Sequence, residues 1–329
     1  MTKNYKTLVL CTAILAVLVV GLGAYTRLSD AGLGCPDWPG CYGFLTVPDQ
    51  AHEIQKVQQQ FPGAQVDKGK ALKEMVHRYF AGGLGLLILA LAMYALRHAK
   101  LPHVPLRLPM VLLLLVIFQA LLGMWTVTMN LQPLVVMGHL LGGFSIASLL
   151  WLLYLRTHSQ PVFGGDPGAR ASLGWSLSAL VVVVIQIALG GWLAANYAAT
   201  HCIGFPMCAG SEAFSLSSVF QLPTEHSNYE FGVLSFESRM SIHLLHRFGA
   251  LITAVVLLSA MWQVFRSAQS QMIKQACGWV VAALVAQISL GIALVQLSIP
   301  LNVALAHNLM ALLLLLTLVR LCYLQKSKS

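Results

Sequence analysis

Glu74-Met75-Val76-His77-Arg78-Tyr79-Phe80-Ala81 opens an apolar run that continues to Arg97. His243-Leu244-Leu245-His246-Arg247-Phe248-Gly249-Ala250 opens another that continues to Arg266. Each run exceeds the roughly 20 helical residues needed to cross a hydrocarbon core of about 30 Å. The two octapeptides are versions of one another. A second correspondence follows each of them, Val136-Met137-Gly138-His139-Leu140 against Ala304-Leu305-Ala306-His307-Asn308. Working outward, apolar runs of spanning length occur eight times, near 7–27, 72–97, 108–129, 133–156, 172–196, 240–266, 272–297 and 301–324. The fold class is therefore all-α integral membrane, with eight transmembrane helices in two repeats, residues 1–160 and 161–329. An even number of spans per repeat makes both enter the membrane from the same side. The expectation is two parallel four-helix bundles related by an axis along the membrane normal.

Composition agrees. The chain is 57% hydrophobic and only 9% charged, against roughly 25% charged in an average soluble protein, and this excludes a soluble fold. Lys3 and Lys6 before the first apolar run resemble a secretion signal. A similar helix recurs at 172–196, so the first run is read as a retained span. The net charge of +9 is a matter of topology. With a cytoplasmic N-terminus, one side carries Lys3, Lys6, Arg97, Lys100, Arg107, Arg156, Arg170, Arg266, Lys274, Arg320, Lys326 and Lys328 with Asp166 as its single acid; the other receives ten of the eleven acidic residues. A Lys/Arg excess in short loops marks the cytoplasmic side. Both termini are placed there, facing anionic lipid, and there is no nucleic-acid signature.

A finer repeat lies inside the halves. Odd-numbered spans carry Gln119-x-x-x-Gly123, Gln186-x-x-x-Gly190 and Gln287-x-x-x-Gly291, while the first span has no glutamine. The implied unit is a hairpin whose first helix supplies Gln and Gly and whose second supplies a histidine. Small residues and an interhelical amide commonly serve as helix glue, and that reading is preferred over a direct role at a site. Two outer segments are long, about 28–71 and 197–239. Within the first, the stretch from Gln50 to Lys73 is polar, with apolar residues at Ile54, Val57, Phe61 and Val66. It reads as a surface helix broken at Pro62-Gly63, either a lid or a solvated connection.

Of eleven histidines, His52, His98, His103, His158, His201 and His226 fall in loops or at helix ends and are assigned no function. His77, His139, His243, His246 and His307 lie in spans, where polar groups are expensive and functional by default. His139 and His307 lie roughly 10 Å into their spans, and His77 and His246 near the outer mouths. Each half thus offers two imidazoles on different helices, an arrangement that suits the opposite axial positions of a heme iron. A small metal ion would usually want three or four ligands, often carboxylates. The membrane supplies one, Glu74. With no Cys-x-x-Cys-His, a heme would be held noncovalently. Arg78 and Arg247 follow two of the histidines and either pair with heme propionates or snorkel to headgroups.

The halves differ where Glu74 faces His243. Each is three residues before a histidine and on its helix face. Glu74 is read as catalytic, a proton carrier or a stabiliser of developing positive charge, or else as an interfacial acid pairing with Lys70, Lys73 or Arg78. His243 is a supporting donor or an alternative ligand. Cys35 and Cys41, and Cys202 and Cys208, lie in the two outer loops with the same spacing, and an oxidising exterior favours one disulfide within each. Zinc shared by the four thiolates is the rival. Cys11, Cys277 and Cys322 are read as inert buried thiols.

Gly23-Ala24-Tyr25-Thr26-Arg27-Leu28-Ser29, followed by Gly32-Leu33-Gly34-Cys35-Pro36-Asp37-Trp38-Pro39, together with Glu74-x-x-His77-Arg78, His139, His246-Arg247 and His307, resembles the heme A synthases of aerobic bacteria and mitochondria. The resemblance covers nearly the whole chain. It implies oxidation of the C8 methyl group of heme O to the formyl group of heme A, for use by terminal oxidases. It also implies a permanent heme b on His246 and His307 in the second half, and substrate heme near His77 and His139 in the first. Glu74 matches the family's catalytic acid and Cys35 and Cys41 its outer cysteine pair. Arg27 and Asp37 belong to the motif without a role that their chemistry explains. The setting so implied is a bacterial inner membrane with the heme sites toward the outer face. Heme O would come from a membrane farnesyltransferase, and heme A would go to a terminal oxidase or its assembly factors. The electron partner is unidentified, and a homo-oligomer is left open. A two-heme cytochrome b carrying electrons from quinol to an outer acceptor is the alternative. A transporter of two parallel repeats ranks last, since prolines are nearly absent from the spans.

Overall fold

The computed structural model describes residues 3–101, 104–158, 165–208, 214–224 and 226–327, so His103 and Lys328 lie outside the described residues. In chain order the α-helices are α1 Lys3–Leu28, α2 Ala51–Gln60, α3 Lys68–Arg97, α4 Arg107–Thr128, α5 Pro133–His158, α6 Pro167–Ala171, α7 Leu173–Ala195, α8 Leu216–Val219, α9 Phe236–Ser267, α10 Gln271–Gln296 and α11 Leu301–Lys326. All but α2, α6 and α8 are long and apolar enough to span a membrane, which makes eight spans among the described residues. Backbone N–H and C=O groups find no partner in hydrocarbon, so a spanning segment must satisfy them internally. The same helices leave large apolar side chains uncovered, with Leu86 and Leu114 each 68% exposed and Leu251 66%. These are faces for lipid tails.

α3 and α9 begin four residues ahead of their apolar runs. At 30 and 32 residues they are about 45 and 48 Å long, more than the hydrocarbon thickness. The surplus is polar and capped, with the Asp67 side chain accepting from the Lys70 N–H at 3.0 Å and Ser235 from the Ser238 N–H at 3.2 Å. These overhangs carry the outer loops and bring them against the helix ends that hold Glu74 and His243.

The described residues fall into two compact units, Met1–Ala147 with Glu225–Phe231, and Ser148–Thr224 with Gly232–Ser329. In the first, α1 packs on α3 and α3 on α4. Val20 of α1 lies beside Gly143 of α5. Asn130, in the turn after α4, is bonded to Ser227 and Tyr229. In the second unit α7 packs on α9, α9 on α10, α10 on α11 and α11 back on α7, a closed four-helix ring.

The outer segment of the first unit is folded. α2 is opened by a capping box of Gln50 and Glu53, and it ends at Phe61, ahead of Gly63, whose φ is +83°. It buries Val57 against Cys35, Cys41, Tyr42, Ala71 and Met75, with Phe61 and Val66 packed alongside. Tyr42 meets Phe61 edge to face at 5.8 Å. The stretch packs on the cysteine loop and is more than a solvated connection.

Asp166 is 3% exposed and ties the α9–α10 connection to α6. It accepts from Ala169 N at 2.9 Å and from Gln269 N and Ser270 N at 2.8 Å each. Burial pushes its carboxyl up, but these N–H groups outweigh burial and hold it below the usual carboxylate range. A depressed folded value stabilises the fold above the unfolded value of about 3.9, and the contribution disappears as pH falls through the lower folded value. Asp166→Ala is expected to lose about 2 kcal/mol at neutral pH, read as a lower thermal midpoint in detergent. The gap to wild type should close as the pH is taken below about 4.

Candidate functional site

In the first unit α3 and α5 face His77 and His139 toward each other, with ring centroids 6.4 Å apart and ring planes at 88°. An α-carbon without a side chain stands behind each ring. A Cβ on Gly23 of α1 would come within 2.9 Å of His77 Cε1, and one on Gly123 of α4 within 3.2 Å of His139 Cε1. The second unit repeats this arrangement. Gly190 of α7 backs His246 of α9 at 3.1 Å, and Gly291 of α10 backs His307 of α11 at 3.1 Å. His307 lies within electrostatic reach of His246.

The glutamines do more than glue helices. Gln119 Nε2 lies 3.0 Å from His139 Nδ1 and donates to the His139 carbonyl at 2.5 Å. Gln186 Nε2 stands in the same relation to His246, at 3.1 Å from Nδ1 and 2.9 Å from the carbonyl. Gln287 reaches His307 through Nε2 of the ring, at 3.2 Å. A side chain held to the ring sets the orientation in which it can meet a metal. The sequence contained the signal, a glutamine one turn before each glycine. Its bearing on the histidine required the neighbouring helix.

Each outer loop closes as a disulfide, Cys35–Cys41 and Cys202–Cys208, which removes the four-thiolate zinc reading. Arginines clamp both loops. Arg78 Nη1 donates to the carbonyls of Asp37 at 2.9 Å, Pro39 at 3.3 Å and Gly40. Arg247 Nη1 donates to the corresponding carbonyls of Gly204 at 2.7 Å and Pro206 at 3.0 Å, and its Nη2 to Cys202 at 3.0 Å. In both loops, backbone carbonyls accept from the guanidinium group. Asp37, whose chemistry alone suggested no role, accepts from the Tyr42 and Gly43 N–H groups at 2.5 and 2.8 Å and closes the first turn. Tyr42, buried beside Glu74 and Asp37, has its phenol held above its ordinary value by desolvation and by those carboxylates.

Glu74 joins the first loop to α3. It is 5% exposed. Oε2 accepts from the Cys35 N–H at 2.9 Å and Oε1 pairs with Arg78 Nη2 at 2.5 Å. Of its three candidate cations, Arg78 is the one in place. At the equivalent position His243 is buried against the backbone of Ala198 and Ala199, a place in the loop support and not among the facing rings. Cys277 is buried as expected, whereas Cys11 is exposed on α1 and Cys322 is intermediate.

Among the described residues no group of three or more His, Cys, Asp or Glu side chains converges as a metal cluster. Two facing imidazoles remain, and a heme iron takes such a pair. An iron about 2 Å from one nitrogen of each ring, with the nitrogen on the order of 1.2 Å from the ring centre, calls for centroids about 6.3 Å apart. The His77–His139 separation fits that requirement.

The cytochrome oxidase assembly protein family matches residues 6–319. A relative from Shewanella oneidensis named heme A synthase is 47% identical over 321 residues, covering 97% of this chain and 96% of the relative. The chain belongs to the heme A synthase family. Relatives with the same name from Chelativorans sp. and Shouchella clausii are 26% and 25% identical over 93% and 98% of the chain, and 86% and 96% of their own lengths. The electron-carrier alternative has no support among them. As a family member with eight spanning helices the chain is a multi-pass membrane enzyme.

The clamp has a direct test. Arg78→Gln is expected to make the Cys35–Cys41 disulfide several-fold faster to reduce with a mild thiol, scored by alkylation and mass spectrometry, while Cys202–Cys208 keeps its wild-type rate. Equal rates for the first disulfide in variant and wild type would remove the clamping role.

Proposed function

We propose that this chain oxidises the C8 methyl group of heme O to the formyl group of heme A, acting as an oxidoreductase on a substrate heme held in the first unit by His77 and His139. The observation that carries this reading is the fit of that ring pair to one iron, in a chain 47% identical to a protein named heme A synthase. With water as the oxygen source, converting methyl to formyl releases four electrons and four protons to an acceptor outside the chain. The second pair, His246 and His307, is assigned a permanent heme b. A low-spin heme bound there supplies one-electron transfer.

The protein's own part is binding and placement. Gln119, Gln186 and Gln287 orient three of the four rings, and the glycines behind them fix how far each imidazole stands from its helix. Glu74 lies one turn from His77 on the same face of α3. Its buried carboxyl, held by the Cys35 N–H and paired with Arg78, sets a negative charge offset by the guanidinium beside the substrate half. Such a charge favours positive charge developing on a substrate that is losing electrons. The covers closed by Cys35–Cys41 and Cys202–Cys208 limit water above each site. This reading takes the two compact units as the working core of the two repeats. It places the protein in a bacterial inner membrane with cytoplasmic termini and outward heme sites. A heme O-forming farnesyltransferase lies upstream, and a terminal oxidase or its assembly factors downstream.

The test is to express the chain beside a heme O-producing farnesyltransferase and identify extracted hemes by mass. Heme A is expected in aerated cells, and its absence would falsify the assignment. Glu74→Gln should keep both hemes and yield no heme A, whereas normal product would dismiss its charge as unimportant. His246→Ala and His307→Ala should each lose the low-spin absorbance of the permanent heme.

A further inference from the structure

Three of the four hairpins hold their histidine with a glutamine, and the fourth does not. The position one turn before Gly23, where a glutamine would stand, is Val19, buried at 9% exposure and without a polar atom to offer. Among the described residues the Nδ1 of His77 is buried and has no hydrogen-bond partner; the Nδ1 of His307 is also without one, but that ring is met by Gln287 at Nε2, whereas no glutamine reaches His77. The recess that seats the amides at Nδ1 of His139 and His246 is missing as well; Gln287 meets its ring at Nε2 without one, Met310 standing three residues after His307. Three residues after His139 and His246 the chain has Gly142 and Gly249, against which the amides of Gln119 and Gln186 lie so closely that a Cβ would overlap their oxygens. Three residues after His77 stands Phe80. Within the first unit the two facing rings are therefore unequal. His139 is held at Nδ1 and at its carbonyl by Gln119, while His77 is backed by Gly23 alone.

A hydrogen bond to the far side of a ligating imidazole raises its basicity and fixes its direction. Losing such a partner typically weakens a metal site about 10- to 100-fold. We infer that His77 is the releasable ligand of the substrate heme and that Val19 is the positioning residue that keeps it so. This inference rests on the reading of His77 and His139 as the substrate pair. The chemistry favours it, because a substrate that must enter, change and leave needs a ligand that lets go. A permanent group needs two that do not, and each ring of the second pair has a glutamine at one of its nitrogens, Nδ1 of His246 and Nε2 of His307. No electron or proton need move when His77 releases; its nitrogen withdraws a lone pair, and the ring swings away from a site where nothing ties its other nitrogen. His139 stays as the fixed point from which the substrate hangs.

The test grafts the missing partner. Val19→Gln with Phe80→Gly would supply His77 with an amide and the recess to seat it. In full-length protein loaded with heme O, transfer of that heme to excess apomyoglobin is expected to be at least tenfold slower than in wild type. Carbon monoxide binding to the reduced first site should fall in parallel, since the gas needs the position that His77 vacates. The converse variant is Gln186→Leu, which gives His246 the environment of His77 and leaves the first unit alone. Its permanent heme should then move to apomyoglobin at least tenfold faster and begin to bind carbon monoxide. Unchanged transfer and carbon monoxide binding in Gln186→Leu would overturn the inference, as would an unchanged grafted variant that folds and binds heme O. If the grafted chain does not fold, Gln186→Leu decides alone. Failure of wild type to make heme A would instead strike the proposed function, because the exchange measurements do not depend on turnover.

Discussion

Everything at the centre of this protein depends on an imidazole packed against a glycine of the neighbouring helix. A ring directed into a helical bundle needs room that a Cβ would fill, and Gly23, Gly123, Gly190 and Gly291 provide it four times. The contact also fixes which helices must be neighbours, since each glycine lies on the spanning helix preceding that of its histidine. Small residues let helix backbones approach closely inside a membrane, where no hydrophobic force draws helices together. The same residues that hold a hairpin together thus determine where its polar group points.

Above these hairpins the outer loops form small covers of their own. Each is closed by a disulfide and held down by an arginine one residue beyond a facing histidine. Glu74 adds a carboxylate to the first cover and His243 an imidazole to the second. The difference is electrostatic: a guanidinium paired with a carboxylate on one side and, among the described residues, a guanidinium without one on the other. The sites beneath have nearly the same donors, and the covers and supporting hydrogen bonds are where the halves diverge.

The amino-acid sequence determined a great deal here, because the bilayer leaves so few solutions. Eight apolar runs became eight spans, since hydrocarbon forces backbone polar groups to bond within the segment. The cysteine pairs became disulfides within their loops. Repetition isolated His77, His139, His246 and His307 from the other histidines. It also marked the glutamines and the missing one at Val19, although a pattern along one helix does not reveal what a side chain touches on the next.

Only the tertiary structure decided those contacts. Gln119 and Gln186 turned from helix glue into partners of the rings, because the hairpin geometry brings one turn of α4 or α7 to the histidine of the following helix. The loop-clamping contacts of Arg78 and Arg247 emerged only here, because the loops fold back over α3 and α9 with carbonyls directed at them. Sequence spacing records which residues share a helix face. Distances between helices, and so the separation of two rings that one iron can bridge, arise only when the faces are packed together.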